Sequence, residues 1–252
     1  MVKIENIKAL GTHWWFTIFQ NVENETALKE DLISIMSRFE ARFSRFKDDS
    51  LISRLNVNRN LISKDQELHN ILKIGIRLYK DTAGYFNFLN AHILEAIGYD
   101  KNYSFIAKGE MERVADISDL EIDNDLISLK NDAKVDLGGF GKGYLIDKLV
   151  SILQEKYGFK YFLINGGGDI YVTSNHDKEV ELLLEKPDQE GYYFAKILIK
   201  NKALCCSSPF KRRWVDPRTH KTFSHIINPK KMPDEISVAT YVIADKTFLA
   251  DA

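Results

Sequence analysis

Hydrophobic residues in the first part of the chain recur at helical spacing. Between residues 28 and 46 they stand three and four positions apart, at Leu28, Leu32, Ile35, Phe39, Phe43 and Phe46. This spacing predicts one face of an amphipathic helix of about five turns, whose apolar side chains enter a core. Phe46 is the one member of the set left as a candidate for another role.

Two further helices are predicted downstream. The first opens at a capping box, Ser63-Lys64-Asp65-Gln66, in which the Ser63 hydroxyl accepts a free helix N–H and Gln66 reaches back. It is expected to end near Gly84. The other helix follows Gly143, where leucine and isoleucine again recur at helical spacing.

Aromatic and β-branched runs predict strands over residues 13–20, 161–165, 180–185 and 194–199. The strand at 13–20 is taken as the first strand of the fold. Residues 100–134 are polar with short apolar pieces, which indicates turns and small strands. Helices and strands are mixed without regular βαβ alternation, and this favours an α+β fold.

Composition excludes several classes of protein. The 252 residues carry 35 Lys and Arg against 36 Asp and Glu, so no basic surplus exists to bind a nucleic acid. No apolar run approaches the roughly 18 residues that span a membrane. The two cysteines, Cys205 and Cys206, are adjacent and build no disulfide framework. The start shows no signal peptide or lipid-anchor cysteine, so we expect a cytoplasmic protein, or an exported one whose leader was removed.

Seven of the 14 glycines fall in two short windows, residues 136–143 and 165–169. A glycine-rich turn that feeds a helix presents free N–H groups to an anion, and Lys142 adds a cation. The first window therefore predicts phosphate binding. It matches neither standard nucleotide motif, because Gly143 stands where a P-loop has Ser or Thr and Tyr144 where the dinucleotide fingerprint has Gly. For residues 166–168 the alternative is a tight turn between two strands.

A third cluster surrounds His225, in Ser224-His-Ile-Ile-Asn-Pro229. A histidine beside a serine and before a proline turn is a candidate proton carrier. Taken alone, a structural histidine is the commoner explanation. A serine triad has little support, since the chain has no Gly-x-Ser-x-Gly elbow.

Together these segments resemble one family, the bacterial FAD:protein FMN transferases, also called the ApbE or flavin-trafficking family. The most specific match is Asp136-Leu-Gly-Gly-Phe-Gly-Lys-Gly-Tyr-Leu-Ile-Asp147, which is similar to the family's Asp-Leu-Gly-Gly-Ile-Ala-Lys-Gly-Tyr-x-x-Asp. The other matches follow in family order, at residues 10–14, 46–56, 82–87, 165–170, 224–229 and 250–252.

The resemblance implies a single ApbE-like domain over residues 1–252, with a two-lobed, T-fold-type α+β architecture of mixed and antiparallel sheets and packed helices. It implies a ligand cleft between the lobes, where FAD binds as donor substrate. A divalent metal, Mg²⁺ with Ca²⁺ or Mn²⁺ as alternatives, would bridge the pyrophosphate. The FMN half would pass to a Thr or Ser hydroxyl of an acceptor flavoprotein, and AMP would leave.

The resemblance also implies the residues of the site. His225 matches the family's essential histidine and is the candidate catalytic group. Gly139, through its backbone, and Asp251, through its carboxylate, are the candidate metal ligands. The candidate flavin-nucleotide contacts are Phe46, Asp136, Gly138, Lys142, Gly166, Gly167, His225 and Ile226.

Departures from the family pattern keep alternatives open. Asn87 and Asn228 stand where the family has Asp, and Phe46 where many relatives have Tyr. The family's metal-binding Thr would fall four residues after Asp251, beyond Ala252, so the C-terminal end is expected to be incomplete. The alternatives are an FAD-binding protein without transferase activity, and an FAD pyrophosphatase that gives FMN and AMP.

Overall fold

The computed structural model describes residues 1–108, 113–174, 179–230 and 239–252. The described residues form two compact units. The first unit comprises Met1–Glu40, Phe140–Ser208 and Ala239–Ala252, and the second comprises Ala41–Gly139 and Pro209–Val238. The sequence-based prediction of one domain over residues 1–252 stays a prediction.

The strands and helices follow one another along the described chain in this order: β1 (Val2–Ala9), β2 (Thr12–Ile18), α1 (Glu25–Phe43), α2 (Leu51–Asn58), β3 (Asn60–Ile62), α3 (Gln66–Asp81), α4 (Ala91–Ala96), β4 (Leu120–Asp123), β5 (Leu126–Leu129), α5 (Gly141–Glu155), β6 (Phe162–Gly166), β7 (Asp169–Thr173), β8 (Val180–Glu185), β9 (Tyr193–Ile199), β10 (Lys202–Ser207), β11 (Arg213–Val215), β12 (Thr222–Ser224), β13 (Thr240–Ala244) and α6 (Thr247–Asp251).

The first unit is built on a six-stranded sheet in the order β1-β2-β6-β7-β10-β13, with antiparallel pairing throughout. Helix α5 packs against β6 and β7, and α6 against α5 and β10. Alternate residues of β2 are buried, namely Trp14, Phe16 and Ile18, as a strand with one face in a core requires. The hairpin β8–β9 forms a separate two-stranded sheet.

The second unit combines helices α2, α3 and α4 with a three-stranded sheet, β3-β5-β4, and the hairpin β11–β12. Helix α3 buries Leu68, Ile71 and Leu72 on one face. A separate hydrophobic cluster joins Leu94, Ile97, Tyr99 and Trp214, and this cluster supports the candidate site described below.

The predicted α+β class is confirmed, and the strands at 161–165, 180–185 and 194–199 are confirmed as β6, β8 and β9. The prediction that the first strand begins at residue 13 was wrong. β1 precedes it and pairs with β2 through the two-residue turn Leu10-Gly11, in which both residues have positive φ. Such a turn matches the twist of a hairpin, but leucine in its first position gives little sequence signal.

Three helix boundaries also differ from the predictions. Helix α1 ends at Phe43, so Phe46 lies outside it. The N-cap of α3 is Asp65, whose side chain accepts the Leu68 N–H, rather than Ser63. Helix α5 begins at Gly141, three residues earlier than predicted, and α4 had no predicted counterpart. In the described parts of the chain, no helix has both the length and the apolar character that crossing a membrane requires.

Candidate functional site

The first unit places three charged side chains in direct contact. Lys142 Nζ lies 2.5 Å from Asp169 Oδ2 and 3.0 Å from Asp251 Oδ1. The two carboxylate side chains are 6% and 5% exposed and the lysine side chain 23%. With both carboxylates ionised the group carries one net negative charge, so it attracts a cation more readily than a bare anion.

Three separate elements bring these side chains together. Lys142 lies in the first turn of α5, Asp169 is the first residue of β7, and Asp251 is the last residue of α6. Asp169 follows the β6–β7 turn, in which Gly167 and Gly168 have φ of 73° and 105°. The tight turn weighed as the alternative for residues 166–168 is therefore present.

Gly166 and Gly167 have packing reasons to lack a side chain. A Cβ on Gly166 would lie 2.8 Å from the Trp14 ring, and one on Gly167 would lie 2.3 Å from Thr12 Oγ1. Both distances are too short for a real Cβ, so each glycine lets β2 approach the turn closely. Their nucleotide-binding role stays a prediction.

The surroundings shift the pKa of each group in the cluster. Burial alone would lower the pKa of Lys142, but the Asp251 and Asp169 carboxylates outweigh it and raise that pKa above its ordinary value. Burial, with the Asp251 carboxylate adding to it, raises the pKa of Asp169 to about 6 despite the Lys142 ammonium. Burial likewise raises the pKa of the neighbouring Cys205 thiol, so this cysteine stays protonated at neutral pH.

Hydrogen bonds join helices α5 and α6 next to the Lys142–Asp169–Asp251 cluster. Asp251 Oδ2 accepts the Gly143 N–H at 2.9 Å. Asp147, one turn further along α5, accepts the Thr247 N–H at 2.9 Å, the Thr247 hydroxyl at 3.0 Å and the Phe248 N–H at 3.1 Å. A Cβ on Gly143 would lie 2.6 Å from Thr247 O, so the two helices approach this closely only with glycine there.

The second unit presents an aromatic cluster that includes Phe46. The Phe46 and Tyr103 rings are stacked, with centroids 5.2 Å apart and planes 10° from parallel. Tyr99 meets the edge of Phe46 at 5.9 Å and stacks on Trp214 at 6.0 Å. Burial raises the pKa of the Tyr99 phenol, whose oxygen accepts a hydrogen bond from Arg212 at 2.7 Å. Flat apolar surfaces with polar edges of this kind suit planar heteroaromatic ligands.

A buried arginine links the aromatic cluster to the glycine-rich motif. The Arg45 guanidinium carbon lies 4.2 Å from the Phe46 ring centroid, its Nε lies 3.2 Å from Asp136 Oδ2, and Nη2 donates to Tyr99 O at 3.0 Å. The Arg45 side chain is only 3% exposed. Asp136 in turn accepts the Gly138 N–H at 2.9 Å.

These bonds change the predicted phosphate cradle. Of the amides in the window 138–143, those of Gly138 and Gly143 already donate to Asp136 and Asp251. The expectation that this whole run of N–H groups faces a phosphate therefore needs correction, because two of the amides hold carboxylates in place. The nucleotide-binding role of Gly138 and Asp136 stays a prediction.

His225 and Ile226 follow directly on β12. The Ser224 hydroxyl donates to Ile226 O at 2.9 Å and accepts the Ile226 N–H at 3.2 Å, which closes a tight turn around His225. The backbone N–H of His225 donates to Arg212 O at 3.3 Å. The centroid of the His225 ring lies 6.2 Å from the centroid of the Tyr99 ring. The histidine is thereby held beside the aromatic cluster.

The two predicted metal ligands lie in different units, Gly139 in the second and Asp251 in the first. Their donors, a backbone carbonyl and a carboxylate, are oxygen ligands of the kind that Mg²⁺ prefers. Each Asp251 oxygen accepts one of the bonds described above, which leaves a lone pair on each for an ion. Among the described residues, no group of three or more His, Cys, Asp and Glu side chains converges as a metal site.

Arg45, Asp169, Tyr99 and Tyr103 were not predicted as site residues. Asp169 ends the window Asn165-Gly-Gly-Gly-Asp169, in which the three glycines are the stronger sequence signal. Arg45 stands between two residues of a helical apolar pattern, and the two tyrosines lie in a stretch of polar turns. The sequence around Arg45, Tyr99 and Tyr103 contains no motif that marks them as site residues.

Comparison with known proteins points to one family. The profile of the ApbE family matches residues 10–252. A protein of Buchnera aphidicola subsp. Schizaphis graminum named FAD:protein FMN transferase is 24% identical over 239 residues, which cover 88% of this chain and 69% of the relative. One of the same name from Haemophilus influenzae is 23% identical over 80% of this chain and 62% of the relative.

Solved structures show the same fold. The ApbE protein from Thermotoga maritima superposes with a TM-score of 0.85 at 20% identity, over 99% of this chain and 84% of that one. The flavin transferase ApbE from Vibrio cholerae gives 0.78 at 18% identity, with the same coverage. The family that the motifs suggested is confirmed, and the chain belongs to the ApbE family.

Proposed function

We propose that this chain is an FAD:protein FMN transferase. A hydroxyl of a Thr or Ser on an acceptor flavoprotein attacks the FMN phosphorus of FAD. A phosphoester bond forms, the pyrophosphate P–O bond breaks, and AMP leaves with the bridging oxygen. The observation that carries the proposal is the Lys142–Asp169–Asp251 cluster. Its lysine lies at the start of α5, inside the motif most specific to a family whose curated relatives are named FAD:protein FMN transferase.

The charged cluster supports a phosphoryl transfer that needs a divalent cation. A pyrophosphate approaching one net negative charge is repelled unless a cation accompanies it. The Asp251 carboxylate is the group of the first unit that would hold the ion, and Gly139 is its proposed partner. When bound, Mg²⁺ supplies neutralisation of the phosphate oxygens and of the leaving AMP.

Lys142 contributes a fixed positive charge to the same reaction. Its ammonium is aimed by Asp169 and Asp251, so it does not have to reorganise when charge develops on the phosphate oxygens. Electrostatic preorganisation of this kind is commonly the largest single contribution to catalysis.

The aromatic cluster of the second unit supports binding of the nucleotide rings. Phe46 offers a phenyl face for stacking, at the position where the family resemblance assigns the adenine contact. Because Tyr103 and Arg45 already lie against this ring, a ligand ring that stacks on Phe46 takes the place of one of them. Asp136, fixed by Arg45, is the polar group beside that surface.

His225 is the proposed proton acceptor for the attacking hydroxyl. A ring nitrogen of an imidazole can accept the proton of an attacking hydroxyl. The turn that contains His225 is closed by Ser224, and the Tyr99 ring lies beside the imidazole.

The test is intact mass spectrometry of an acceptor peptide or protein after incubation with this chain, FAD and Mg²⁺, with AMP assayed in the same tube. An added FMN mass with an equal amount of AMP supports the transferase. AMP without the added mass favours the pyrophosphatase alternative, in which water attacks the same phosphorus. FAD binding without either product favours a binding protein, and it would refute the proposal.

A further inference from the structure

Helices α5 and α6 cap each other. Helix α5 carries Gly143 and Asp147, four residues apart, and α6 carries Thr247 and Asp251 with the same spacing. The carboxylate at the end of α6 accepts an N–H from the first turn of α5, and the carboxylate within α5 accepts N–H groups from the first turn of α6. Positions four apart share one helix face, so both pairs lie along a single line of contact.

This arrangement supplies what both helices lack locally. The first N–H groups of a helix have no partner within it and need an outside acceptor. The N-cap residues of α5 and α6 are Phe140 and Lys246, and neither makes a side-chain capping bond. Capping therefore comes from the opposite helix, with Asp147 and Asp251 as the acceptors.

The start of α6 is held by a single carboxylate of α5. Asp147 Oδ1 accepts both the N–H and the hydroxyl of Thr247, and Oδ2 accepts the Phe248 N–H. Thr247 is fully buried, so no water competes for these bonds.

We propose that Asp147 is a positioning residue for the site: by fixing the start of α6 it aims the Asp251 carboxylate at the metal and at Lys142. This inference rests on the proposed function, since it takes Asp251 as a metal ligand. Groups that orient a ligand in this way commonly affect metal affinity about 10–100-fold.

Substitutions at two positions separate the orientation of the Asp251 carboxylate from the folding of the chain. In Asp147→Asn, one oxygen still accepts from Thr247, but the amide NH₂ faces the Phe248 N–H, and two donors then meet. Thr247→Val removes only the hydroxyl bond at similar volume, and Thr247→Ser keeps it. The matched control is Asp245→Asn, the same loss of charge two residues before Thr247, at an exposed carboxylate paired with Lys202.

The measurements are the Mn²⁺ dissociation constant by electron paramagnetic resonance with FAD present, the FAD dissociation constant without metal, and the melting temperature. We expect Asp147→Asn to weaken Mn²⁺ binding about tenfold or more, with FAD binding changed less than twofold. Thr247→Val should give a smaller weakening in the same direction, while Thr247→Ser and Asp245→Asn match the wild type.

Several results would overturn the positioning role. These are wild-type Mn²⁺ affinity in Asp147→Asn, equal weakening of Mn²⁺ and FAD in both Asp147→Asn and Thr247→Val, or a wild-type protein that binds no Mn²⁺. Should Asp147→Asn fail to fold, Thr247→Val decides alone. The proposed function fails separately, when the wild type binds Mn²⁺ and FAD but flavinylates no acceptor.

Discussion

The ammonium of Lys142 lies 2.5 Å from a carboxylate oxygen of Asp169 whose side chain is 6% exposed. Removing one partner of a buried ion pair leaves the other charge without compensation. Lys142→Met leaves two such carboxylates, those of Asp169 and Asp251. We expect a loss of about 3–5 kcal/mol in the free energy of unfolding, measured by urea denaturation at pH 7.

A matched control uses the ion pair of the exposed Lys156 with the half-buried Asp31. Lys156→Met should lower the free energy of unfolding much less than Lys142→Met does, because an ion pair with an exposed lysine contributes little to stability. The double variant Lys142→Met/Asp169→Asn should recover part of the loss, because one buried charge is gone. Equal costs for Lys142→Met and Lys156→Met would contradict the importance of the buried cluster.

The contacts of Arg45 with Phe46, Asp136 and Tyr99 O predict that nucleotide binding requires a guanidinium at this position. A lysine at this position cannot stack a flat cation on Phe46 while it also contacts Asp136 and Tyr99 O. We expect Arg45→Lys to weaken FAD binding about tenfold, the loss of roughly one good contact, measured by isothermal titration calorimetry. Arg77→Lys, at an exposed i,i+4 pair on α3, is the control. The role is wrong if both variants bind FAD as the wild type does.

His225 is predicted to act in the chemical step rather than in binding. His225→Gln should reduce the rate of acceptor flavinylation about 10²–10⁴-fold, the usual contribution of a general base, while the FAD dissociation constant stays within about threefold. The exposed His13 offers the control variant His13→Gln. If the flavinylation rate of His225→Gln falls by the same factor by which its FAD dissociation constant rises, His225 positions the flavin and does not act in the chemical step.

The hydrogen bonds accepted by Asp216 predict that the second unit loses stability at acidic pH. Its buried carboxylate accepts the N–H groups of Ala107, Arg218 and Thr219, and these bonds lower its pKa to about 2. In the unfolded chain an Asp titrates near 3.9. A folded-state pKa below the unfolded one adds stability that is present above about pH 4 and is lost as the pH falls through about 2.

Urea denaturation between pH 7 and pH 2 tests this. Asp216→Asn should be less stable than the wild type at pH 7, because its amide NH₂ faces a donor, and the difference should shrink as the pH falls. A difference that stays constant across this range would mean that the carboxylate charge is not the source of the stability.

The fold class and the order of most elements follow from the hydrophobic pattern, but several boundaries are set by polar side chains. The apolar spacing continues to Phe46, yet the chain turns after Phe43, where the Ser44 hydroxyl accepts the Phe46 N–H at 3.3 Å. At the start of α3, Ser63 and Asp65 are both good caps. Asp65 is the N-cap, and Arg42 also binds it at 2.5 Å, from a position far away in the sequence.

The candidate site likewise combines residues that stand in sequence motifs with contacts that only the folded chain makes. Lys142, Asp136 and His225 stand in motifs that the sequence displays, and Asp169 ends one of them. The mutual caps of α5 and α6 join residues about 100 positions apart, and the ion pair of Arg45 and Asp136 joins residues about 90 apart. No local pattern encodes such pairs, since only the folded chain brings them into contact.

The strand order of the six-stranded sheet has a consequence for synthesis. Strand β2 pairs with β1 through a two-residue turn, but its other edge pairs with β6, so that Phe16 meets Ile164. On a ribosome adding roughly 5–20 residues per second, the β1–β2 hairpin waits on the order of ten seconds with an apolar edge unpaired. During that interval the nascent chain exposes a strand edge with which another chain could pair, so the β1–β2 hairpin benefits from protection until β6 has been made.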